Sequence, residues 1–111
     1  WIGFLTPAGV DKAIVAKLQQ KCPDAKILIL AIFPRGANKE DKFRQQNEAT
    51  NAIVKGFADD KKVFFLDVGA KFLEADGTLP KSIMPDLLHP NAQGYQIWSD
   101  AIEAKVKELL K

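Results

Sequence analysis

Asp86 and His89 are the two side chains whose types and spacing best fit acid–base chemistry. His89 is the only histidine, and a carboxylate three residues away can lie on the same side of a helical or tight turn. Such a carboxylate accepts the imidazole Nδ1–H and stabilises the imidazolium, which leaves Nε2 free to take a proton from a hydroxyl nucleophile. The same spacing also fits a turn aspartate beside a surface histidine, so the pair must be judged from its surroundings.

The pair lies in a long segment, residues 72–91, between the last predicted strand and the last predicted helix. Loops of more than about 12–15 residues without structure of their own are often functional. In open α/β sheets, ligands bind beyond the carboxyl ends of the strands, which is where this segment begins. We expect Asn91 to cap the following helix. We also expect Leu87 and Leu88 to anchor the loop and Tyr95 to pack beneath it.

Two further charged residues follow the predicted strands. Arg35 comes shortly after the first strand, and Asp67 ends the second. We expect Arg35 to form a structural ion pair, with Asp67 or with another nearby carboxylate. Asp67 could also join Asp86 and His89 around a metal ion, but one histidine and two carboxylates make a weak zinc site. The prediction is therefore a site without metal or cofactor.

Hydrophobic periodicity predicts an α/β protein with three helices and two strands. The helices fall near residues 7–21, 41–57 and 92–110, where apolar side chains recur at helical spacing. The strands fall near residues 27–33 and 63–67, and both are apolar runs without alternation, as is typical of parallel strands covered on both faces. This order predicts a right-handed βαβ unit with helices on both faces of the sheet.

Two strands are too few to complete this sheet. A strand as apolar as residues 27–33 favours a hydrogen-bonded neighbour on each side, and an isolated two-stranded sheet is a poor core. Residues 1–5 could add only a short strand. We expect residues 1–111 to be a single, N-terminally truncated domain. Its sheet would be completed by a missing N-terminal half or by another chain, for which a homodimer is one option.

Composition argues against several other classes of protein. Lys and Arg number 16 against 14 Asp and Glu, a formal charge of +2, and no basic stripe of the kind that binds nucleic acid is visible. The longest apolar run, residues 27–33, is far shorter than the ~20 residues that span a bilayer, so no membrane span is expected. No signal peptide is recognisable, and the compartment stays open. Cys22, the single cysteine, excludes an internal disulfide.

The residues around the pair resemble the last signature block of the SGNH/GDSL hydrolases. That block runs from Met84 to Trp98 with the sequence MPDLLHPNAQGYQIW. It is especially similar to bacterial members related to the platelet-activating-factor acetylhydrolase catalytic subunits. Further segments match the same branch of the family: the strand and Pro-Arg loop at residues 27–36, the helix positions Arg44, Asn47 and Asn51, the strand end at 65–67 and the turn at 76–79.

This resemblance implies a flavodoxin-like α/β/α sandwich around a five-stranded parallel sheet. It also implies hydrolysis of a small ester, often an acetyl ester, through an acyl-serine intermediate, with Asp86 and His89 as acid and base of the triad. In the family the nucleophile belongs to an N-terminal Gly-Asp-Ser block, and a glycine and an asparagine from two further blocks complete the oxyanion hole. These blocks are absent: Ser82 and Ser99 lie in other contexts, and no asparagine follows Gly3.

We therefore expect the 111-residue chain alone to be inactive. An enzyme whose triad lacks one member retains a rate acceleration of at most about 10³–10⁴-fold over the reaction in water. That residual acceleration comes from the oxyanion hole and from substrate binding. Two alternatives stay open. The chain could be a noncatalytic α/β binding domain or degenerate hydrolase, although Pro34-Arg35-Gly36 is not the glycine-rich loop that binds phosphate. It could also belong to a metal-dependent hydrolase.

Overall fold

Two short parallel strands form the centre of the fold. A computed structural model of the chain describes the backbone of residues 7–111 and the side chains from Lys12 onward. The expected strand at residues 1–5, with Gly3, lies outside these residues. The described elements in chain order are α1 (Pro7–Lys21), β1 (Ile27–Leu30), α2 (Lys42–Lys55), β2 (Val63–Leu66), a 3₁₀ helix (Gly69–Phe72) and α3 (Ala92–Leu109).

The parallel pairing of β1 with β2 confirms the predicted α/β class. The register places Ile27 opposite Val63 and Leu30 opposite Leu66. The strand expected over residues 27–33 ends three residues early, because the peptide groups of Ile32 bond to a side chain. Asn51 accepts from Ile32 N–H at 2.8 Å and donates to its carbonyl at 3.0 Å. The side-chain amide of Asn51 thus makes the hydrogen bonds to Ile32 that the backbone of a neighbouring strand would otherwise make.

The two faces of the sheet are covered by different helices. The Lys105 ammonium of α3 lies 5.6 Å from the centroid of the Phe64 ring. Phe65, the next residue, lines a cavity with Asn51 and Lys55 of α2. Because successive side chains of a strand point to opposite faces, α2 and α3 lie on opposite sides of the sheet. α1 packs against α2.

The inward face of α2 is more polar than its apolar pattern suggests. Phe43 and Ile53, two of the apolar residues at helical spacing, are 48% and 58% exposed. The buried residues of this helix are Arg44 and Val54. Asn47, between them, donates to the Phe33 carbonyl at 3.4 Å. The helix therefore presents hydrogen-bonding side chains to the end of β1.

The core lies between β2, the 3₁₀ helix and α3, and it includes much of the segment that we expected to be an irregular loop. Its buried residues are Val68, Phe72, Leu79, Ile83 and Met84. Ile97, Trp98, Ala101 and Ile102 of α3 pack against this cluster, as does Leu87. Since three of the five buried residues lie between residues 79 and 84, this segment is anchored just before Asp86.

The other edge of β1 carries no strand among residues 7–111. Leu30 and Ile32, at the carboxyl end of this strand, are 38% and 39% exposed. Apolar side chains at the centre of a parallel sheet are normally covered on both faces, whereas the described residues leave these two side chains only partly covered. None of the described helices is long and apolar enough to cross a bilayer.

Candidate active site

The carboxylate of Asp86 holds both the ring and the backbone of His89. Its Oδ2 lies 2.6 Å from Nδ1 of the imidazole. Its Oδ1 accepts the amide N–H of His89 at 2.7 Å and that of Leu88 at 3.0 Å. An ionised carboxylate only accepts hydrogen bonds, so Nδ1 carries the proton and Nε2 keeps its lone pair. Within the described residues, Nε2 is therefore available as a base.

A left-handed residue separates the acid from the base. Leu87 has φ +59°, which is unusual for a residue with a bulky side chain. Its N–H donates to the Met84 carbonyl at 2.9 Å, and its own carbonyl accepts from Gly36 N–H at 3.0 Å. The side chain of Leu87 packs on the core as expected, whereas Leu88 is 38% exposed. Two hydrogen bonds and the core contact therefore hold this turn.

The start of α3 supports the turn from below. Asn91 caps the helix as predicted, since its side chain accepts from Gly94 N–H at 3.0 Å. Its amide also donates to the Ser82 carbonyl at 2.7 Å, which ties the helix to the segment before Asp86. A Cβ on Gly94 would lie 2.8 Å from both the Ile83 carbonyl oxygen and Pro90 Cβ. The close approach of α3 to the loop at this position therefore requires a residue without a side chain.

Tyr95 does not occupy the place that we expected for it. Its side chain is 54% exposed, and its ring lies edge-on to Trp98 at a centroid distance of 6.5 Å. Trp98 packs against the core, with the centroid of the Phe33 ring 6.3 Å from its own. Gly94 is the residue that faces the loop, and successive residues of a helix point about 100° apart, so the Tyr95 side chain leaves α3 in another direction.

The hydrogen bonds to Asp86 lower the pKa of its carboxyl group to about 2. The largest cause is the side-chain hydrogen bond from His89, followed by the backbone amide of the same residue. Because these donors favour the charged form, Asp86 stays ionised throughout the range in which an imidazole titrates. Both side chains are open to solvent in the described residues, with 54% of Asp86 and 74% of His89 exposed.

The predicted ion pair between Arg35 and Asp67 is wrong. The guanidinium of Arg35 instead stacks on Phe43, with its central carbon 4.2 Å from the ring centroid. Asp67 uses Oδ1 to accept from the N–H of Gly69, the first residue of the 3₁₀ helix, at 2.8 Å. Nor does Asp67 join Asp86 and His89, since residues 12–111 contain no cluster of three or more metal-ligating side chains.

Neither serine is placed as a nucleophile for His89. Within residues 12–111, no serine side chain is hydrogen-bonded to the imidazole. Ser82 contacts the site only through its backbone carbonyl, which accepts from Asn91, and Ser99 lies on α3. The described residues therefore provide an acid–base pair without a hydroxyl partner.

From the sequence we assigned no role in the site to Gly36 and Arg44, although both shape it. Gly36, with φ +83°, donates to the Leu87 carbonyl. Arg44 is fully buried and donates to three backbone carbonyls, including that of Gly36. The available signal was the spacing of Arg44, Asn47 and Asn51, which places three polar side chains on one face of α2.

Comparisons with known proteins give a family model and several relatives that match this chain. Residues 8–97 match the family model described as GDSL-like Lipase/Acylhydrolase family. The human platelet-activating factor acetylhydrolase IB subunit alpha1 is 32% identical over 105 residues, which are 92% of this chain and 44% of the relative. The alpha2 subunit from Gallus gallus is also 32% identical over 105 residues, with 94% of this chain and 45% of the relative covered.

Two solved structures share the fold. A candidate platelet activating factor protein from Streptococcus pneumoniae superposes with a TM-score of 0.73 at 23% identity, over 94% of this chain and 54% of that one. A candidate acylhydrolase from Bacteroides fragilis gives a TM-score of 0.71 at 20% identity, over 91% of this chain and 51% of that one. The chain thus spans about half the length of the proteins it matches. The family match over residues 8–97 and the relatives at 32% identity show that this chain belongs to the GDSL-like lipase/acylhydrolase family.

Proposed function

We propose that this chain supplies the acid and base, Asp86 and His89, of a serine ester hydrolase. The observation that carries the proposal is the 2.6 Å contact between Asp86 Oδ2 and His89 Nδ1, which leaves Nε2 free. This arrangement of carboxylate and imidazole is the one that activates a hydroxyl in a Ser-His-Asp triad. Membership of the family makes the chain part of a hydrolase, and the roles of these two residues are our inference.

The reaction follows from the chemistry of the pair. His89 Nε2 takes the proton of a serine hydroxyl while Oγ bonds to the carbonyl carbon of the ester. The imidazolium returns this proton to the alcohol oxygen as the carbon–oxygen bond breaks, which leaves an acyl-serine. Water then attacks the acyl carbon and gives its proton to Nε2. The carboxylic acid departs as that proton returns to Oγ, and Asp86 stabilises the imidazolium in both halves of the cycle.

We place the nucleophile and the oxyanion donors in a polypeptide segment that precedes this chain in the complete gene product. Three observations support this placement. Neither Ser82 nor Ser99 is hydrogen-bonded to the His89 ring, the chain spans 44% of its human relative, and β1 has no strand on its second edge among residues 7–111. Residues 1–111 would then be the C-terminal part of one SGNH domain. The preceding segment would add parallel strands beside β1, and a second chain in that position is the alternative.

For the substrate we propose a small ester, with acetyl esters as the first class to examine. The relatives at 32% identity are named as acetylhydrolases of platelet-activating factor. Because the surroundings of the serine set the shape of an acyl pocket, the choice between acyl groups depends on the preceding segment. The mechanism that we propose uses no cofactor.

The experiment compares p-nitrophenyl acetate hydrolysis by the complete gene product, by its His89→Ala variant and by residues 1–111 alone. We expect turnover by the complete protein, a loss of about 10³-fold or more in the variant, and none above background for the isolated chain. Glu108→Gln, on the exposed side of α3, is the matched control and should keep full activity. Serine-type turnover by the isolated chain would contradict the placement of the nucleophile, and activity abolished by a chelator would instead indicate a metal-dependent hydrolase.

A further inference from the structure

Arg44 is a buried cation without a buried anion beside it. Its side chain is 0% exposed, and no carboxylate forms an ion pair with it within residues 12–111. Three backbone carbonyls accept hydrogen bonds from it instead. Nε donates to the Arg35 carbonyl at 3.0 Å, and the two terminal nitrogens donate to the carbonyls of Gly77 at 2.9 Å and Gly36 at 2.8 Å. A buried charge is expensive to maintain, and well-packed apolar residues often serve stability as well or better. Stability alone therefore gives a weak reason for an arginine here.

One of these three carbonyls belongs to a residue that contacts the turn between the acid and the base. The carbonyl of Gly36 accepts from Arg44, and the N–H of Gly36 donates to the Leu87 carbonyl at 3.0 Å. Leu87 has the left-handed backbone, φ +59°, that carries the chain from Asp86 to His89. A residue with a side chain keeps this conformation only when its surroundings fix it. The bond from Gly36 is one of the contacts that fix it.

We propose that Arg44 is a positioning residue for the acid–base pair. By holding the carbonyls of Arg35 and Gly36, which flank the Gly36 N–H, it directs that N–H at Leu87 and so sets the orientation of His89. This inference rests on the proposed function, because it gives Arg44 a role in the reaction that we assign to the pair. Arg44 itself is about two hydrogen bonds removed from the imidazole and touches no reacting atom.

The planar fork of the guanidinium is what suits Arg44 to this task. Its donors point in fixed directions and reach carbonyls on two separate loops, at Gly36 and Gly77. A lysine keeps the charge but has one nitrogen on a flexible stem, so it cannot hold these carbonyls in the same geometry. The Arg44→Lys variant therefore shows whether the site requires only a positive charge at this position or the planar guanidinium as well.

The test measures kcat and KM for p-nitrophenyl acetate in the complete gene product and in its Arg44→Lys variant. A second readout is the NMR signal of the His89 Nδ1 proton, assigned by its loss in His89→Ala. We expect Arg44→Lys to lower kcat by about 10- to 100-fold, as misplacement of a catalytic group by about 1 Å does, with KM within about twofold. We also expect the Nδ1 proton signal to broaden and the Gly36 amide to exchange faster with solvent. If Arg44→Lys does not fold, Arg44→Gln, which removes the buried charge, takes its place with the same expectations.

Asn51→Ala is the matched control on the same helix face. It loses two hydrogen bonds to the backbone of Ile32, four residues before Gly36, and has no connection to Leu87. It should unfold at a lower temperature but keep kcat and the Nδ1 signal when measured well below that temperature. Equal losses of kcat in the Asn51 and Arg44 variants would overturn the proposal, as would an Arg44 variant with unchanged kcat and Nδ1 signal. If the unmodified protein hydrolyses no ester, the proposed function fails, and the NMR readout alone then decides whether Arg44 positions His89.

Discussion

The carboxylate of Asp86 contacts His89 twice, with one oxygen on the ring and the other on the backbone. Oδ2 lies 2.6 Å from Nδ1, and Oδ1 accepts the amide N–H at 2.7 Å. The ring contact sets the tautomer, and the backbone contact fixes the distance between the two residues. One side chain thus determines both the protonation pattern and the position of the base.

Asp86→Asn should leave the fold intact and remove most of the activity of the complete protein. The asparagine amide can turn its NH₂ toward the ring, which favours the wrong tautomer of His89. In a Ser-His-Asp triad the corresponding change lowers kcat by about 10⁴-fold. Steady-state hydrolysis of p-nitrophenyl acetate measures the loss, and circular dichroism checks the fold. Asp24→Asn, an exposed change far from the pair in sequence, is the control, and activity retained in Asp86→Asn would argue against its role.

The carboxyl group of Asp86 should titrate at about pH 2, because the hydrogen bond from the His89 side chain is the largest cause of its lowered pKa. A lowered pKa in the folded state adds stability that is fully present above the ordinary value of 3.8 and is lost as pH falls toward 2. Carbon-13 NMR of the carboxyl group measures the midpoint directly. His89→Ala should raise it toward 3.8, whereas an unchanged midpoint would show that the imidazole is not the cause.

Gly94→Ala should destabilise the protein even though alanine favours helices by about 1 kcal/mol over glycine. The added Cβ would lie 2.8 Å from the Ile83 carbonyl oxygen and from Pro90 Cβ, so the loop must move. Such overpacking costs about 1–3 kcal/mol, and we expect the free energy of unfolding to fall. Gln93→Ala, an exposed change in the same helical turn, should alter it by less than about 0.5 kcal/mol. A more stable Gly94→Ala variant would contradict the close packing.

The Leu87→Gly variant should be more stable than the Leu87→Ala variant, although glycine usually makes a protein less stable than alanine does. Both variants lose the contact of the side chain with the core, so that term cancels in the comparison. Alanine must still adopt φ +59°, whereas glycine adopts it without steric conflict. We expect a difference of about 1 kcal/mol in chemical denaturation. If alanine is the more stable of the two, the left-handed turn is not the conformation in solution.

The elements of the fold were predictable because each has its own periodicity. The prediction of α1 over residues 7–21 matches its bounds. The predictions of α3 and β2 are one residue too long at the end, and that of α2 is one residue too long at its start and two at its end. The strand from residue 27 was predicted too long, because periodicity cannot show that Asn51 would bond to Ile32. The sequence shows that residues 72–91 include apolar side chains. It does not show that these side chains form the core together, because that depends on contacts between distant segments.

The contact between Asp86 and His89 was predictable because it is local, with its members three residues apart in sequence. The supports of the pair were not, since Gly36 and Leu87 are far apart in sequence and meet through backbone groups. The ion pair predicted for Arg35 failed for a related reason: opposite charges at two strand ends suggested it, but Phe43 lies nearer. Composition and spacing thus identify the Asp86–His89 contact better than they identify the groups that hold it.

Covalent labelling tests the central claim most directly, namely that His89 activates a serine outside residues 1–111. The complete gene product is treated with a fluorophosphonate, which bonds to activated serines, and the modified peptide is identified by mass spectrometry. We predict a single adduct on a serine that precedes this chain, with labelling suppressed in His89→Ala. An adduct on Ser82 or Ser99, or labelling that persists without His89, would contradict the account.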